Sequence, residues 1–257
     1  MLETKRLLNH YDKKYHYEMS NNIQTQSFFY KYPSNRYEAC IKYFLQHFNG
    51  CNILEIGAGS GVIANAFIEN KINFNSYTLT EFSNVRLQAL RNRFKNDSKI
   101  KIIKFDADNP KYYKEIGQYD AVILIAVIEH LIDPLMALKN IRIIIKSGCF
   151  LYIDTPNIAK FTRRIKLVFG RFPSTASKNE GLTTYNNKPV DLYDEGHFHC
   201  FTFRSLSLML TQRCGFSKVK KNPYPLGFKM FSGRKFDYFL AQIWPEMFSE
   251  LSLIAYV

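Results

Sequence analysis

The stretch that decides the fold is LEIGAGSG, residues 54–61. It predicts the end of a buried strand, a glycine-rich turn and, directly after the turn, a helix over residues 62–70. Glycines at 57, 59 and 61 let the backbone turn sharply and approach a ligand closely. A dinucleotide-binding turn is spaced Gly-x-Gly-x-x-Gly, whereas this one is Gly-x-Gly-x-Gly with Glu55 two residues before it. An acid at that place suits a ligand that carries an amine better than it suits a pyrophosphate.

A regular alternation of strands and helices extends from this turn to residue 156. We predict strands at residues 52–56, 74–80, 100–105, 119–126 and 149–154, with helices at 85–94 and 135–145. Units of strand, helix and strand at this spacing are typical of a parallel sheet with helices on both faces. The prediction is an α/β fold: a Rossmann-like, seven-stranded, mostly parallel sheet with an N-terminal helical lid and an insertion after strand five.

The rest of the chain is less regular. Residues 1–33 are polar and aromatic with weak helical periodicity, and a basic amphipathic segment lies at 161–169 within the insertion. A helix at 203–214, strands at 216–220 and 251–257, and an irregular region at 222–248 complete the prediction.

Composition limits the class of protein. The chain has 257 residues, a net charge of +13 and 46% hydrophobic residues, which fits one packed domain and excludes wholesale disorder. The longest apolar run, residues 121–128, is too short to cross a bilayer, and we expect no signal peptide. Five dispersed cysteines indicate reduced thiols in the cytoplasm. The basic residues are scattered, so we do not expect nucleic acid as the partner.

Two further acids follow predicted strands. Glu81 ends the second strand, twenty positions after Gly61, where it can accept hydrogen bonds from both hydroxyls of a ribose. Asp106 follows the third strand, where it can accept the exocyclic amine of adenine. The implied ligand is a nucleoside with an amino-acid-like tail and no pyrophosphate.

Together these segments resemble a known family. Residues 55–61, Glu81, residues 106–107 and residues 119–122 resemble, in order, the motif series of class I S-adenosylmethionine-dependent methyltransferases. The segment IEHLIDP, residues 128–134, resembles the branch that includes ubiquinone-pathway O-methyltransferases. Residues 171–201 are more weakly similar to methyltransferases found with bacterial surface-glycan biosynthesis. The resemblance implies S-adenosyl-L-methionine as cofactor and S-adenosyl-L-homocysteine as product.

The resemblance also implies roles for particular residues. The glycines would shape the methionine pocket, Glu55 would bind the amino group, Glu81 the ribose and Asp106 the adenine. In the resembled family, Asp is commoner than Glu at the position of Glu81. We expect the longer side chain of Glu81 still to reach the ribose. The full cofactor-binding set is Glu55, Gly57, Ala58, Gly59, Gly61, Glu81, Phe82, Asp106, Ala107 and Glu129.

Three histidines are candidates for catalysis, because a hydroxyl acceptor needs a base and a neutral imidazole suits that role near pH 7. His130 follows Glu129 after the fourth strand, and His197 and His199 alternate on an extended segment. In some relatives the pattern Glu-x-x-Glu-His helps to bind a divalent metal. Ala126 replaces its first Glu here, so we expect no metal. Packed structural imidazoles are the alternative interpretation.

The acceptor is expected under the insertion, residues 157–200. We predict residues 1–49 as an N-terminal lid and helix and residues 50–257 as the methyltransferase domain. The expected activity is O-methylation of a sugar, a nucleotide sugar or a phosphorylated metabolite in bacterial surface-polysaccharide biosynthesis. An RNA 2′-O-methyltransferase and a cofactor-binding protein without turnover are the alternatives. The candidate acceptor-binding residues are Tyr11, Asn157, Arg163, Arg164 and Tyr193.

Overall fold

The computed structural model describes residues 2–19, 31–176, 180–181, 184–185, 188–189, 192–227 and 233–257. The strands within these ranges are β1 Cys51–Ile56, β2 Phe74–Glu81, β3 Ile100–Lys104, β4 Tyr119–Ile125, β5 Ile145–Pro156, β6 Thr184–Tyr185, β7 Lys188–Pro189, β8 Lys218–Lys221 and β9 Glu250–Tyr256. The α-helices are α1 Leu2–Met19, α2 Arg36–His47, α3 Val62–Glu69, α4 Asn84–Arg93, α5 Pro110–Glu115, α6 Pro134–Ile144, α7 Phe161–Val168, α8 Phe203–Leu208 and α9 Arg234–Ile243.

The main sheet has seven strands in the order β3-β2-β1-β4-β5-β9-β8. The first five are parallel, and β9 runs antiparallel to both β5 and β8. The prediction of a Rossmann-like, mostly parallel seven-stranded sheet is therefore confirmed. The strand order reverses between β1 and β4, and ligands of such sheets bind at the carboxyl ends of the strands beside that reversal.

Buried side chains cover both faces of the sheet. On one face, Leu54 and Ile56 of β1 pack with residues of α6 and α8. On the other face, Ile53 of β1 packs with residues of α2 and α3. Successive residues of a strand point to opposite faces, so β1 contributes to both clusters and to whatever lies at its carboxyl end.

Two helices differ from the sequence-based prediction. The helix α9 lies inside residues 222–248, which were predicted as irregular because prolines and glycines flank it, and this part of the prediction is wrong. The helix α5 was missed because its six residues are too few to show a period; Asn109 caps it and Pro110 opens it. The N-terminal segment is helical as predicted, and its helix α1 spans 18 residues despite the weak apolar periodicity.

Among the residues that the structure describes, no helix combines the length and the apolar character that a membrane crossing requires.

Candidate active site

An open cleft of about 770 Å³ lies at the carboxyl ends of β1 to β4. The structure brings together seven residues that the sequence proposed for binding or catalysis: Tyr11, Gly57, Glu81, Phe82, Asp106, Ala107 and His130.

Gly57, the first glycine of the turn, lines the cleft, and a side chain would not fit at this position. Gly57 has φ +69°, and a Cβ atom on it would lie 2.5 Å from Cγ2 of Val127. Gly59 has φ +59°, and its N–H donates to Oε2 of Glu81 at 2.9 Å. Ala58, Gly59 and Gly61 do not line the cleft. Ala58 is buried, and Gly61 begins α3 in the left-handed conformation.

Two carboxylates end neighbouring strands at the opposite wall. Glu81 is buried, and its Oε1 accepts hydrogen bonds from the N–H groups of Phe82 and Ser83 at 2.9 and 3.2 Å. Burial raises the pKa of Glu81, while Arg86 and the backbone donors act in the opposite direction. Asp106 is held by the N–H of Asp108 at 3.1 Å, and burial raises its pKa as well. Both carboxylates keep oxygen lone pairs that can accept from a ribose and an amine.

Glu55 does not reach the cleft. Its neighbour Ile56 lines the cleft, so strand alternation turns Glu55 to the other face of the sheet. There the hydroxyl of Tyr77 donates to its Oε2 at 2.7 Å, and burial raises the pKa of Glu55 to about 8. The geometry therefore does not match the predicted contact with an amino group.

Helix α1 covers the cleft with Leu7, Tyr11 and Tyr15. The carboxylate of Asp12 accepts from Oγ of Ser83 at 2.5 Å, from the amide of Asn84 at 3.2 Å and from the N–H of Val85 at 3.4 Å, which binds α1 to the start of α4. Tyr15 stacks on the guanidinium of Arg86, 3.2 Å from the ring centroid. Lys14 pairs with Glu195 of the insertion at 3.0 Å.

His130 and His197 lie side by side at the edge of the cleft. Their ring centroids are 4.6 Å apart and their planes are nearly perpendicular. Nδ1 of His130 lies 3.0 Å from the carbonyl of Gly196, which can only accept, so Nδ1 carries the proton and Nε2 keeps its lone pair. Tyr11 Oη lies at the same distance from this Nδ1. Burial lowers the pKa of His130 to about 3 and that of His197 to about 4, so both rings are neutral at pH 7.

The tautomer of His197 follows from a short chain of hydrogen bonds. Its Nδ1 lies 2.6 Å from Oγ1 of Thr175, and that hydroxyl donates to Oδ2 of Asp194 at 3.3 Å. Because the hydroxyl proton of Thr175 is donated to Asp194, its oxygen accepts a hydrogen bond from Nδ1–H of His197. Nε2 of the neutral His197 ring therefore carries no proton.

Glu129 completes a cluster of three donor groups with these histidines. Its Oε2 accepts from Thr155 at 2.8 Å, while Oε1 is buried with no hydrogen-bond partner among the described residues. Burial raises the pKa of Glu129 to about 7. Ligand atoms of Glu129, His130 and His197 lie within 4.8 Å of one another, and two imidazoles with one carboxylate suit a divalent cation such as zinc. His199 stands apart, with Nε2 at 3.4 Å from the carbonyl of Ile132.

The remaining acceptor-binding candidates lie outside the cleft. Arg163 is buried, and its guanidinium donates to the carbonyls of Asn157, Ser174 and Ser249 at 2.6, 3.2 and 3.1 Å. Asn157 is itself fully buried and donates to the carbonyl of Phe248 at 3.1 Å. These two side chains hold the start of the insertion in place, so their predicted contact with an acceptor is not supported.

Arg164 and Tyr193 are exposed and engaged elsewhere. Nε of Arg164 donates to the carbonyl of Ala159 at 2.6 Å, and the hydroxyl of Tyr193 donates to the carbonyl of Glu180 at 2.8 Å. Neither side chain lines the cleft.

Several residues that line the cleft were not proposed from the sequence, among them Leu7, Arg86 and Asp108. Asp108 has a readable signal, since it follows Asp106 by two positions at the same strand end. Its carboxylate accepts from the N–H groups of Ile132 and Asp133 at 2.9 and 3.0 Å and closes one side of the cleft. Arg86 has no such signal, because one arginine among several on α4 is indistinguishable from a solvated one.

This geometry defines a class of protein. A glycine turn after β1, acids at the ends of β2 and β3 and the antiparallel β9 are the arrangement expected of a class I S-adenosylmethionine-dependent methyltransferase. The family described as "Methyltransferase domain" matches residues 11–221, and the chain belongs to that family.

Comparisons with known proteins agree with this class. The chain is 29% identical over 139 residues to the highly reducing polyketide synthase otaA of Aspergillus niger, a match that covers 48% of this chain and 5% of that protein. A solved structure of the CurJ carbon methyltransferase is similar with a TM-score of 0.54 at 17% identity over 85% of this chain and 52% of that one. A Mesorhizobium loti S-adenosylmethionine-dependent methyltransferase matches with a TM-score of 0.54 at 11% identity, over 84% and 95% of the two chains. The chain therefore spans only a small part of the curated relative and about half of CurJ.

The residues present fit S-adenosylmethionine as the cofactor. The bare backbone of the glycine turn allows close approach, and Glu81 and Asp106 supply acceptors at two successive strand ends. Phe82 and Ala107 line the cleft between those acids.

Proposed function

We propose that the protein transfers a methyl group from S-adenosylmethionine to an oxygen atom of a small polar acceptor. The acceptor class is a sugar, a nucleotide sugar or a phosphorylated metabolite of bacterial surface-polysaccharide biosynthesis. The observation that supports oxygen as the target is the pair of neutral imidazoles, His130 and His197, at the edge of the cleft. A hydroxyl must lose its proton during transfer, and an imidazole with a free Nε2 accepts one.

The chain supplies binding, alignment and a proton acceptor. Bound in the cleft, S-adenosylmethionine would supply an electrophilic methyl group on a sulfonium. Glu81 would accept hydrogen bonds from the ribose hydroxyls and Asp106 from the adenine amine, while α1 would exclude water from the cleft. His130 lines the cleft, and its Nε2 takes the proton of the acceptor hydroxyl. His197 stands beside it, oriented by Thr175, and can serve the same role toward an acceptor that enters from the insertion.

The same proposal includes the organisation of the chain. Residues 1–49 form a lid and a helix, residues 50–257 form the catalytic domain, and residues 157–200 cover the acceptor. Lys14 and Glu195 support this division because their ion pair joins the lid to the insertion. We place the reaction in the cytoplasm, in keeping with five cysteines that are all free thiols.

A methyl-transfer screen tests the proposal. Purified protein and S-adenosylmethionine with a labelled methyl group are incubated with nucleotide sugars, glycans, phosphorylated metabolites and RNA. We expect incorporation into one of the first three classes. It should be lost in the His130→Gln variant or, for an acceptor that enters from the insertion, in the His197→Gln variant. Incorporation into RNA alone would favour the 2′-O-methyltransferase instead, and cofactor binding without any transfer would favour a non-catalytic protein. A chelator arm determines whether a cation bound by Glu129, His130 and His197 takes part.

A further inference from the structure

Two helices carry apolar side chains on the solvent side. Helices at a protein surface normally turn their apolar stripe toward the core. In α7 only Arg163 is buried, while Phe161, Ile165, Val168 and Phe169 form an exposed stripe at helical spacing. Val168 and Phe169 are 81% and 75% exposed. Folding of the chain therefore does not account for the apolar character of this helix.

Helix α9 has the same character. Phe239 and Ile243 are 60% and 66% exposed, Phe236 continues their stripe at helical spacing, and Trp244 after the helix is half-exposed. The residues that α9 buries, Asp237 and Ala241, lie on its other side.

The two helices flank one segment of the chain, residues 245–250. Trp244 leads from α9 directly into this segment. On the other side, Arg163 of α7 donates to the carbonyl of Ser249 at 3.1 Å, and Asn157 just before α7 donates to the carbonyl of Glu246 at 3.3 Å. We name the exposed side chains of residues 161–172 and 234–244 the apolar–basic surface.

Basic residues dominate this surface, although two of them are ion-paired: Arg171 with Glu180 at 2.9 Å and Arg234 with Glu38 at 3.4 Å. Residues 161–172 contain Arg164, Lys166 and Arg171 and no acid, and residues 234–244 begin with Arg234 and Lys235. The one acid within these two stretches, Asp237, is buried. Two facing copies of the surface would bring like charges together, and the whole chain carries +13, so self-association is disfavoured.

We propose that the apolar–basic surface binds the protein to the face of an anionic lipid bilayer. Exposed Phe, Ile, Val and Trp side chains enter the boundary between head groups and acyl chains, and the neighbouring Lys and Arg contact lipid phosphates. Helices of 8 and 10 residues are far shorter than the roughly 20 that span a bilayer, so they lie along its plane. Binding of this kind does not depend on the proposed methyl transfer.

One consequence does rest on the proposed function. Helix α7 follows the carboxyl end of β5, at the same edge of the sheet as the cleft. Adsorption through α7 would therefore hold the acceptor side of the protein near the bilayer, where a lipid-linked saccharide would be presented.

The only tryptophan of the chain provides a direct readout, because Trp244 lies in the surface itself. Full-length protein is mixed with vesicles of equal parts phosphatidylglycerol and phosphatidylcholine, or of phosphatidylcholine alone, without cofactor or acceptor. We expect a blue shift of Trp244 fluorescence, quenching by brominated lipid and co-sedimentation with the anionic vesicles. About 0.5 M salt should weaken the binding, since it screens charges at the surface.

Variants locate the contact. Val168→Ser with Phe169→Ser, and separately Phe239→Ser with Ile243→Ser, should each lower the vesicle partition coefficient about tenfold. Ile143→Ser on α6 is the matched control, since Ile143 is 68% exposed but lies outside the surface. Affinity for S-adenosylhomocysteine verifies that each variant is folded.

Three results would overturn the proposal. The first is that the protein does not bind anionic vesicles. The second is that both double variants bind as well as the parent protein. The third is that light scattering detects a dimer that the same substitutions dissociate. The last result would assign the surface to a second copy of the chain. Loss of methyl transfer with intact vesicle binding would refute the proposed function and leave this inference standing.

Discussion

At the scale of single residues, Glu81 joins the glycine turn to the end of β2. Its two oxygens accept three backbone N–H groups, from Gly59, Phe82 and Ser83. An amide at this position would place its NH₂ group against at least one of these donors. We expect Glu81→Gln to weaken the binding of S-adenosylhomocysteine about tenfold to a hundredfold, since one buried donor loses its acceptor.

Calorimetry measures that loss. Glu69→Gln is the control, because Glu69 lies on α3 outside the cleft and bonds the exposed side chain of Asn65. Equal affinity of Glu81→Gln and the parent protein would remove Glu81 from the cofactor site.

The histidine pair makes stability depend on pH in a defined direction. Burial lowers the pKa of His197 to about 4, below the ordinary value of 6.5, so the unfolded chain binds more protons than the folded chain between these values. The contribution of His197 to stability is therefore complete above pH 6.5 and is lost as the pH falls toward 4. The buried acids act in the opposite direction, because burial raises the pKa of Glu129 to about 7.

A comparison of variants separates these effects. We expect His197→Gln to lose less unfolding free energy than the parent when the pH is lowered from 7 to 5, since glutamine does not titrate. Denaturant unfolding at both pH values measures the difference. Parallel losses in the two proteins would show that His197 is not buried as a neutral ring.

At the scale of elements, Asp12 binds α1 to the start of α4, and we propose that α1 acts as a lid over the cleft. Asp12→Ala removes three acceptor contacts while the cleft residues of α4 remain unchanged. We expect S-adenosylhomocysteine to dissociate about five to ten times faster, because an opened lid exposes the cleft. Stopped-flow displacement measures the rate, with Lys13→Ala on the exposed side of α1 as the control. A change in the association rate alone would contradict a lid.

The elements that could be predicted from the sequence are those whose local residue pattern agrees with their packing in the fold. Residues 54–61 are one example, because the strand, the left-handed glycines and the following helix all require the same residues. Helix α9 is the opposite case, since its apolar stripe faces outward and no core-facing pattern was available to detect it. Residues 171–201, which suggested the acceptor, fall partly outside the described residues.

Side-chain roles were harder to predict than elements. Strand alternation around Ile56 decides that Glu55 turns away from the cleft, yet the motif alone suggested a contact with the ligand. Arg163 was taken for an acceptor-binding residue because an arginine on an amphipathic helix is usually exposed. Its burial depends on carbonyls of Ser174 and Ser249, which are distant in sequence and come together only in the fold.

At the scale of the whole molecule, Arg36 connects the start of α2 to the centre of the sheet. Its guanidinium lies 2.8 Å from Glu250 of β9 and 3.7 Å from Asp154 of β5. The hydroxyl of Tyr224 donates to the same Asp154 at 2.8 Å. Burial raises the pKa of Asp154, and the positive charge of Arg36 opposes this rise. Arg36 therefore stabilises the charged forms of two carboxylates that are both buried. It also adds ion pairs to the place where β5 meets the antiparallel β9.

Replacing this cation should destabilise the entire fold. We expect Arg36→Met to lower the unfolding free energy by about 3 kcal/mol, because Asp154 and Glu250 would remain buried without the cation that pairs with them. Lys146→Met is the control, since Lys146 pairs with Asp120 at an exposed position and its loss should change stability little. Urea unfolding at pH 7 measures both variants. Faster hydrogen exchange in α2 without a shift of the urea midpoint would contradict this prediction. It would mean that Arg36 positions only that helix.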